Sequence, residues 1–432
     1  MAVVGVKRRA AGGRSGGMRG RAWYEECRGR VQLRMDHIGD CTKSVPFPSL
    51  LGPNPDMDTE TANPSPLPDP LGLTAAAFAA EFRRTGLGTL DAGMRAYESL
   101  YRRGDESALI GAGLASSLPV IRRTLTTESP EGEVVKFLLG VPRAATGRAM
   151  PDELETESVI IPMQRRHERT FTLCVSSQVG CAMGCTFCET AQMGLIRSLS
   201  AREIVAQWLA AAWVIRADIK NIVFMGMGEP LDNVDGVVQA IEVLTDHRGP
   251  SIAMSRITVS TVGRLDGLAR LRECVQRPGW KQLNLAVSIN APNDEIRSRI
   301  MPVNRSMPLD ALLRSLRDWP LRKNGAICAE YVLIPGVNNA PEHAAELCAR
   351  LKGLRCCVNV IPYNPRRDSP WPAPSEEAVS AFLANLESHG QFCKRRRTKG
   401  RDTMAACGQL GNEQIRRRQF VPVGTNVIIP GR

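Results

Sequence analysis

The chain has 432 residues, of which 43% are hydrophobic, and it carries a formal net charge of +12. This composition is enough for a globular core, and the length allows one large domain with a smaller one. No run of about 18 apolar residues occurs, and the basic, Gly-rich N-terminus lacks a continuous apolar segment, so neither a membrane span nor a secretory signal is expected.

The cysteine content indicates the compartment. Thirteen cysteines are present, and such a number without an export signal is typical of proteins in a reducing environment. Their odd count and scattered spacing argue against a framework of structural disulfides. We therefore predict a cytoplasmic protein.

The positive charge favours a polyanionic partner such as nucleic acid. Basic residues are dense at 394–401 and at 416–418, on either side of Cys407. Runs of this density usually form solvated faces, so the charge alone leaves nucleic-acid binding and simple solubility both open.

Composition and periodicity divide the chain into four parts. Residues 1–70 are rich in Gly, Arg, Pro and Ser and predict a disordered extension. Residues 71–150 predict a small helical accessory domain with a short β section, because helical periodicity gives way to apolar runs near residue 133. Residues 151–420 predict the main domain, and residues 421–432 a C-terminal tail.

The main domain shows a repeated order of short apolar strand, loop and amphipathic helix. Strands are predicted at 170–177, 221–226, 256–261, 282–288, 329–334 and 357–362. Helices are predicted at 201–217, 234–246, 264–275, 308–318, 340–353 and 375–389. This alternation indicates a parallel α/β sheet with right-handed crossovers, and six units favour a partial (β/α)6 barrel. In either architecture, ligands bind at the carboxyl ends of the strands.

Three closely spaced cysteines form the most specific motif. Cys181, Cys185 and Cys188 lie in CAMGCTFC, which places three thiols on one tight loop. Cubane iron–sulfur clusters are held by cysteine thiolates, and three of them leave one iron open to a small molecule. A zinc site is the alternative, although zinc usually takes a fourth Cys or His nearby.

Small and polar residues follow the predicted strands and outline a cofactor rim. Glu229 in GMGEP can accept hydrogen bonds from an ammonium group, and the neighbouring glycines, including Gly228, let the backbone approach a ligand closely. Ser260, Ser288, Asn290 and Asn364 stand at other strand ends and offer donors and acceptors.

These motifs together resemble a known family. The segments CVSSQVGCAMGCTFCETAQMG, VFMGMGEPLDN, ITVSTVG, SINAPNDEIRSRIMPVN, IPYNP and AACGQL are similar, in order, to the bacterial radical-SAM RNA adenine carbon-2 methyltransferases, where SAM is S-adenosylmethionine. The resemblance covers about residues 157–415. It implies 23S ribosomal RNA, and transfer RNA beside the anticodon, as substrates.

The resemblance also implies a role for individual residues. Cys407 matches the cysteine that is itself methylated, Cys174 the resolving cysteine that forms a transient disulfide with it, and Glu157 the proton acceptor. The positions that match the [4Fe-4S] ligands are Cys181, Cys185 and Cys188. The positions that match SAM contacts are Gly228, Glu229, Ser260, Ser288, Ile289, Asn290 and Asn364, with Asn290 standing where many members carry His.

The implied chemistry explains these residue types. Carbon 2 of adenine is electron-poor and cannot attack a methyl group directly, so the methyl group first moves to the nucleophilic Cys407. A second SAM is cleaved reductively to a radical that takes a hydrogen atom from the new S-methyl group. The resulting carbon radical adds to adenine, and Cys174 then releases the product by forming a disulfide. A monomer served by a flavodoxin-like electron donor, with no membrane association, is expected.

Three other functions remain open at this point. One is methylation at carbon 8 of the same ribosomal adenine, although the helical module in front of the barrel favours carbon 2. Another is radical chemistry on a peptide or small molecule. The last is an iron–sulfur protein that binds RNA without catalysis.

Overall fold

A ten-stranded sheet organises the part of the chain that the computed structural model describes, which comprises residues 67–142, 153–165 and 168–412. The strands are ordered β1-β2-β3-β4-β7-β8-β9-β10-β11-β12. Most of the predicted extension, the second basic run and the predicted tail lie outside these ranges. No helix within them is long and apolar enough to cross a membrane.

The described chain begins with three helices, α1 (Ala75–Arg84), α2 (Leu90–Arg103) and α3 (Ser107–Gly111). Thr89 caps the start of α2, because its side chain accepts a hydrogen bond from the backbone N–H of Ala92. Threonine is one of the residues preferred at this position of a helix. Aromatic side chains spaced at helical intervals on α1 and α2 are buried against each other. The predicted helical segment is therefore present, held by an aromatic core.

Four antiparallel strands follow and form the first part of the sheet. They are β1 (Ile121–Thr127), β2 (Val134–Pro142), β3 (Glu153–Arg165) and β4 (Glu168–Cys174). The apolar run of β2 is buried over most of its length, as the sequence predicts for its β section. The predicted boundary between the accessory domain and the main domain, after residue 150, falls between β2 and β3. These two strands pair with each other in the same sheet.

A short region between β4 and the next long strand carries the three cysteines. It contains β5 (Gln178–Val179), α4 (Glu189–Met193) and β6 (Arg197–Ser198), and β5 pairs with β6 as a separate two-stranded sheet.

From β4 onward all pairings in the large sheet are parallel. The strands are β7 (Ile219–Phe224), β8 (Ile257–Thr261), β9 (Asn284–Ser288), β10 (Ile327–Leu333), β11 (Cys356–Pro362) and β12 (Cys393–Arg395). The helices are α5 (Ala201–Leu209), continued by a π-helix over Ala210–Val214, α6 (Val234–Thr245), α7 (Leu265–Val275), α8 (Asp294–Ile300), α9 (Leu309–Arg317), α10 (Pro341–Leu351) and α11 (Glu376–Ser388).

The predicted strands and helices of the main domain are confirmed, and so is the predicted fold class. Their Val, Ile and Leu side chains are buried on both sides of the parallel sheet, which is why these strands read as continuous apolar runs. The strand β12 is additional, since three residues in a basic run carry no recognisable strand pattern. The carboxyl ends of the parallel strands share one edge, and the candidate site lies there.

Candidate active site

One cavity collects residues that follow successive parallel strands. Its space, including the part that opens to solvent, amounts to about 1020 Å³. Of the residues singled out in the sequence, those lining it are Cys181, Cys185, Cys188, Gly228, Glu229, Ser260, Ser288, Asn290, Asn364 and Cys407. Three others, Ile289, Cys174 and Glu157, are buried nearby without lining it.

The three motif cysteines are free thiols with little solvent exposure. Backbone hydrogen bonds shape their loop: Cys181 N–H donates to the Gly194 carbonyl at 3.1 Å, and Cys188 N–H donates to the Cys185 carbonyl at 3.1 Å. Burial is the main cause that raises the pKa of all three thiols. Because a coordinated thiol is deprotonated outright, a bound metal group would remove this obstacle to ionisation.

These thiols are a donor set that suits an iron–sulfur cluster. In a cubane each cysteine thiolate binds a different iron, so the sulfurs need not converge on one point. Three free cysteines on one loop therefore provide the type and number of donors that a [4Fe-4S] cluster with one open iron requires.

An apolar shell surrounds the cysteine loop. Met183, Phe187, Met301, Ile334 and Tyr363 pack with it as a separate hydrophobic cluster. Such a shell limits the access of water to a metal group and lowers the local dielectric constant.

A fully buried arginine supports this region, and the sequence reasoning missed it. Arg297 donates to the carbonyls of Ile289, Ser288 and Val262 at 3.0, 2.9 and 2.6 Å. Burial lowers its pKa to about 10, and the nearby Cys185 opposes that shift. The sequence does contain a signal for this arginine. Arg297 stands three residues before Ile300, a helical spacing that puts both residues on the buried face of α8.

Glu229 is buried at the base of the cavity. Its carboxylate accepts hydrogen bonds from the backbone N–H groups of Leu231 at 3.1 Å and Val262 at 2.9 Å. Burial raises its pKa to about 7, because a carboxylate inside a protein lacks the hydration it has in water. An ammonium group in the cavity would stabilise the charged form, so this residue fits the predicted amino-group contact.

The glycines of GMGEP are required by packing. Gly228 has φ +98°, and a Cβ atom on it would lie 2.5 Å from the Cβ of Gln178. A Cβ on Gly226 would lie 2.7 Å from the Ser176 hydroxyl. These positions need glycine because the backbone packs against the segment after β4, and both glycines also line the cavity.

The other rim residues are held by neighbouring strands. Ser260 donates to Oε2 of Glu330 at 2.9 Å. Asn290 has φ +57°, a conformation that Asn tolerates better than most residues, and its Oδ1 accepts from the Val332 N–H at 2.8 Å. Its Nδ2 donates to Sδ of Met301 at 3.3 Å, so both ends of the Asn290 side chain are already held within the protein.

The two cysteines with predicted catalytic roles stand 233 positions apart in the sequence (174 and 407). Cys407 lines the cavity, and Cys174 is buried at the end of β4. Burial, followed by the charge of Cys407, raises the pKa of Cys174 to about 12. Both are free thiols in this structure.

Glu157 lies beside the same loop, outside the cavity. Its carboxylate is 2.9 Å from the Lys136 ammonium, with both side chains almost fully buried, and it accepts from the Gly411 N–H at 3.0 Å. The predicted proton acceptor is thus engaged in a buried ion pair.

Two charged residues of the cavity were not identified in the sequence. Glu330 lies within β10 and Arg396 follows β12, and their side chains approach to 3.5 Å. A glutamate inside the apolar strand ICAEYVL is a recognisable signal. Arg396 gives none, because it stands among similar basic residues.

Comparison with known proteins shows which family the chain is similar to. The model of the Radical SAM superfamily matches residues 175–348. The chain is 39% identical over 333 residues to the probable dual-specificity RNA methyltransferase RlmN 1 of Protochlamydia amoebophila, covering 75% of this chain and 88% of that protein. It is 44% identical over 254 residues to the dual-specificity RNA methyltransferase RlmN of Syntrophotalea carbinolica, covering 59% and 66%.

A solved structure is similar over nearly its whole length. The crystal structure of a radical SAM methyltransferase from Sphaerobacter thermophilus superposes with a TM-score of 0.69 at 33% identity, covering 78% of this chain and 98% of that one. The cysteine loop and the rim residues from Gly228 to Asn290 fall within the matched superfamily region, whereas Asn364 and Cys407 lie beyond it.

Proposed function

This chain belongs to the radical SAM family of dual-specificity RNA methyltransferases, and from that premise we propose that it methylates carbon 2 of adenine. The substrates we propose are 23S ribosomal RNA and transfer RNA at the adenine beside the anticodon. The observation that carries the proposal is the single cavity that contains the cysteine loop, the polar rim and Cys407.

We propose that Cys181, Cys185 and Cys188 hold a [4Fe-4S] cluster and that the rim holds SAM. When bound, these groups would supply a methyl group and the one-electron chemistry that activates it. Glu229 supports this assignment because a cation bound in the cavity would stabilise its buried carboxylate in the charged form. Ile289 would contribute its backbone, whose carbonyl already accepts a hydrogen bond from Arg297. The remaining proposed contacts are Gly228, Ser260, Ser288, Asn290 and Asn364.

Cys407 is the proposed methyl carrier. An electron-poor carbon cannot attack a methyl group, whereas a thiolate is a good nucleophile. Cys407 lines the cavity and is only partly buried, so it can be reached both from the proposed SAM site and from solvent. Cys174 is the proposed resolving residue, since a disulfide with Cys407 would release the product by thiolate exchange.

For Glu157 to act as the predicted proton acceptor, its carboxylate must first be released from its present partners. Its carboxylate is bound by Lys136 and by the backbone N–H of Gly411. Gly411 lies on the same loop as Cys407, so a movement of that loop would free the carboxylate.

The remaining proposals concern partners. The positive net charge supports RNA binding. We expect a flavodoxin-like electron donor, a monomeric enzyme and a cytoplasmic location.

Nucleoside analysis by mass spectrometry tests the proposal. We expect 2-methyladenosine in ribosomal and transfer RNA of the wild-type strain and its loss from a deletion strain. Appearance of 8-methyladenosine instead would favour the carbon-8 alternative, and unchanged RNA with cleavage of SAM would favour a substrate other than RNA.

A further inference from the structure

A buried lysine interrupts the apolar strand β2. Lys136 stands in VVKFLLGVP, and only 5% of its side chain is exposed. It lies on the same face of the sheet as Glu157 of β3, because its register partner is Val159, two positions away. The two charged groups are 2.9 Å apart. A buried ion pair often adds little net stability, since both charges lose their hydration, so its contacts outside β2 and β3 are informative.

The ion pair holds both ends of residues 404–411, which we call the carrier segment because it contains Cys407. The ammonium of the pair donates to the Met404 carbonyl at 3.3 Å. The carboxylate accepts from the Gly411 backbone N–H at 3.0 Å. Cys407 stands between these contacts, three residues after the first and four before the second. One buried pair on two adjacent strands therefore fixes the segment on both sides of the thiol.

The first of these contacts is made at a strained point of the backbone. Met404 has φ +52°, a conformation that is uncommon for residues other than Gly, Asn and Asp. Such a conformation persists where the surrounding structure holds it in place. The Met404 carbonyl is bound by Lys136, and its backbone N–H donates to the Arg401 carbonyl at 3.1 Å. The carrier segment thus begins in a conformation that its own sequence does not favour.

The second half of the carrier segment is bound to the helix that follows the cysteine loop. The backbone N–H of Glu189 donates to the Gly408 carbonyl at 2.7 Å, and the hydroxyl of Thr190 donates to the Leu410 carbonyl at 2.5 Å. Both donors lie at the start of α4, directly after the last cysteine of that loop. The carrier segment is therefore held from two parts of the fold, the strands β2 and β3 and the helix α4.

We propose that Lys136 is a positioning residue for Cys407, and that its ion pair with Glu157 fixes the carrier segment so that the thiol lies at the cavity. The pair supplies a donor for one backbone carbonyl and an acceptor for one backbone N–H, at places set by the register of two paired strands. An apolar pair could fill the same space, but it would leave the Met404 carbonyl and the Gly411 N–H without these partners.

The consequence for catalysis rests on the proposed function, in which Cys407 accepts a methyl group. Such a transfer needs the accepting sulfur about 3–3.5 Å from the methyl carbon, and a misplacement of about 1 Å can lower the rate about a hundredfold. Lys136 does not line the cavity, so it would act only through the position of the thiol. Its loss should therefore lower the rate of methyl transfer to Cys407 more than the affinity for SAM.

Exchange of backbone amide hydrogens tests the positioning directly and needs neither RNA nor SAM. The full-length enzyme, purified without oxygen, is compared with Lys136→Met at a temperature where both remain folded. Local opening controls exchange in segments of this kind, and we expect the amides of residues 404–411 to exchange at least about tenfold faster in the variant. Lys136→Arg should restore most of the protection, because a guanidinium can still pair with Glu157 and donate to a carbonyl.

Leu347→Ala is the matched control for a general loss of stability. Leu347 is buried on α10, and loss of a buried leucine side chain destabilises a fold by leaving a cavity. Any acceleration that follows from global unfolding should appear in both variants. The excess in Lys136→Met over Leu347→Ala therefore reports the contacts of the ion pair with the carrier segment.

The rate of methyl transfer to Cys407 is the second readout. The enzyme is mixed with SAM that carries a deuterated methyl group, and label on the Cys407 peptide is followed by mass spectrometry before any RNA is added. At saturating SAM, Lys136→Met should transfer the label at least about tenfold more slowly, with the concentration of SAM at half-maximal rate changed by less than about threefold. Lys136→Arg should recover most of the rate, and Leu347→Ala should keep it.

Equal acceleration of exchange in the carrier segment by Lys136→Met and Leu347→Ala overturns the proposal. If Lys136→Met does not fold, Lys136→Met/Glu157→Gln decides, because it leaves no unpaired buried charge. Faster exchange at Met404 and Ala405 than in Leu347→Ala then supports the proposal, and equal exchange overturns it. A wild-type enzyme that takes up no label on Cys407, while its variants show the expected exchange, would refute the proposed methyl carrier and leave the role of Lys136 standing.

Discussion

The side-chain amide of Asn364 donates a hydrogen bond of 3.4 Å to the backbone carbonyl of Cys407. The other end of the same amide accepts from Arg401 at 3.2 Å. Further along the loop, Lys136 donates to the Met404 carbonyl at 3.3 Å. These hydrogen bonds join the proposed cofactor rim to the loop that carries Cys407. A substitution in the rim should therefore alter the position of the loop, and a substitution in the loop should alter the rim.

Replacing Cys407 tests the proposed methyl carrier. Cys407→Ala should abolish formation of 2-methyladenosine while leaving iron and sulfide content near the wild-type level, because the cluster ligands lie on a different loop. Cys274→Ala is a matched control, since Cys274 is a partly buried cysteine on α7 away from the cavity. Retained methylation in Cys407→Ala would remove the central step of the proposal.

Replacing Cys174 tests the proposed release step. Cys174→Ala should accumulate RNA bound covalently to the enzyme, because no thiol remains to resolve the bridge. Denaturing gel electrophoresis with nuclease treatment detects the complex. The double variant with Cys407→Ala should show no such complex, and normal turnover by Cys174→Ala would contradict the assigned role.

The pKa of Glu229 predicts how SAM binding depends on pH. With a pKa of about 7, the carboxyl is charged above that pH and neutral below it, and only the charged form attracts an ammonium group strongly. The apparent affinity for SAM should therefore fall as the pH is lowered from 8 to 6, approaching about tenfold per unit below pH 7. Isothermal titration with Glu229→Gln should give weaker binding and a flatter profile; an equally steep profile would assign the effect to another group.

Lys136 is predicted to stabilise the fold through Glu157. Lys136→Met leaves a buried carboxylate without its cation, which typically costs about 3–5 kcal/mol. Urea unfolding should show this loss in the free energy of unfolding. The double variant Lys136→Met/Glu157→Gln should recover part of it, and an equal or larger loss in the double variant would argue against a charge effect.

Gly228 should not tolerate a side chain. Gly228→Ala combines a strained positive φ with a Cβ atom 2.5 Å from Gln178, so both stability and SAM binding should decrease. Gly390→Ala separates the two causes, because it has a similar positive φ of 75° and open space around it. The loss at Gly228 beyond that at Gly390, measured by thermal unfolding, reports the packing contribution; equal losses would mean that the contact with Gln178 is unimportant.

The sequence allowed much of the parallel sheet and the cavity to be predicted. Strand and helix patterns are local, because apolar side chains repeat at the period of each element. The cysteine loop and Glu229 are also local motifs, and parallel strands bring their carboxyl ends together as a rule. For these features, short-range pattern and general topology were sufficient.

What remained out of reach depends on packing between distant segments. Arg396 resembles its basic neighbours in the sequence, and only the register of β12 against β11 turns it into the cavity. Glycine at position 228 is required by contact with Gln178, about fifty residues earlier in the chain. The sequence by itself determined which chemical groups are available and which strands carry them. Only the tertiary structure decided which charges line the cavity, because the side-chain environment of a buried group is formed by residues far apart in the chain.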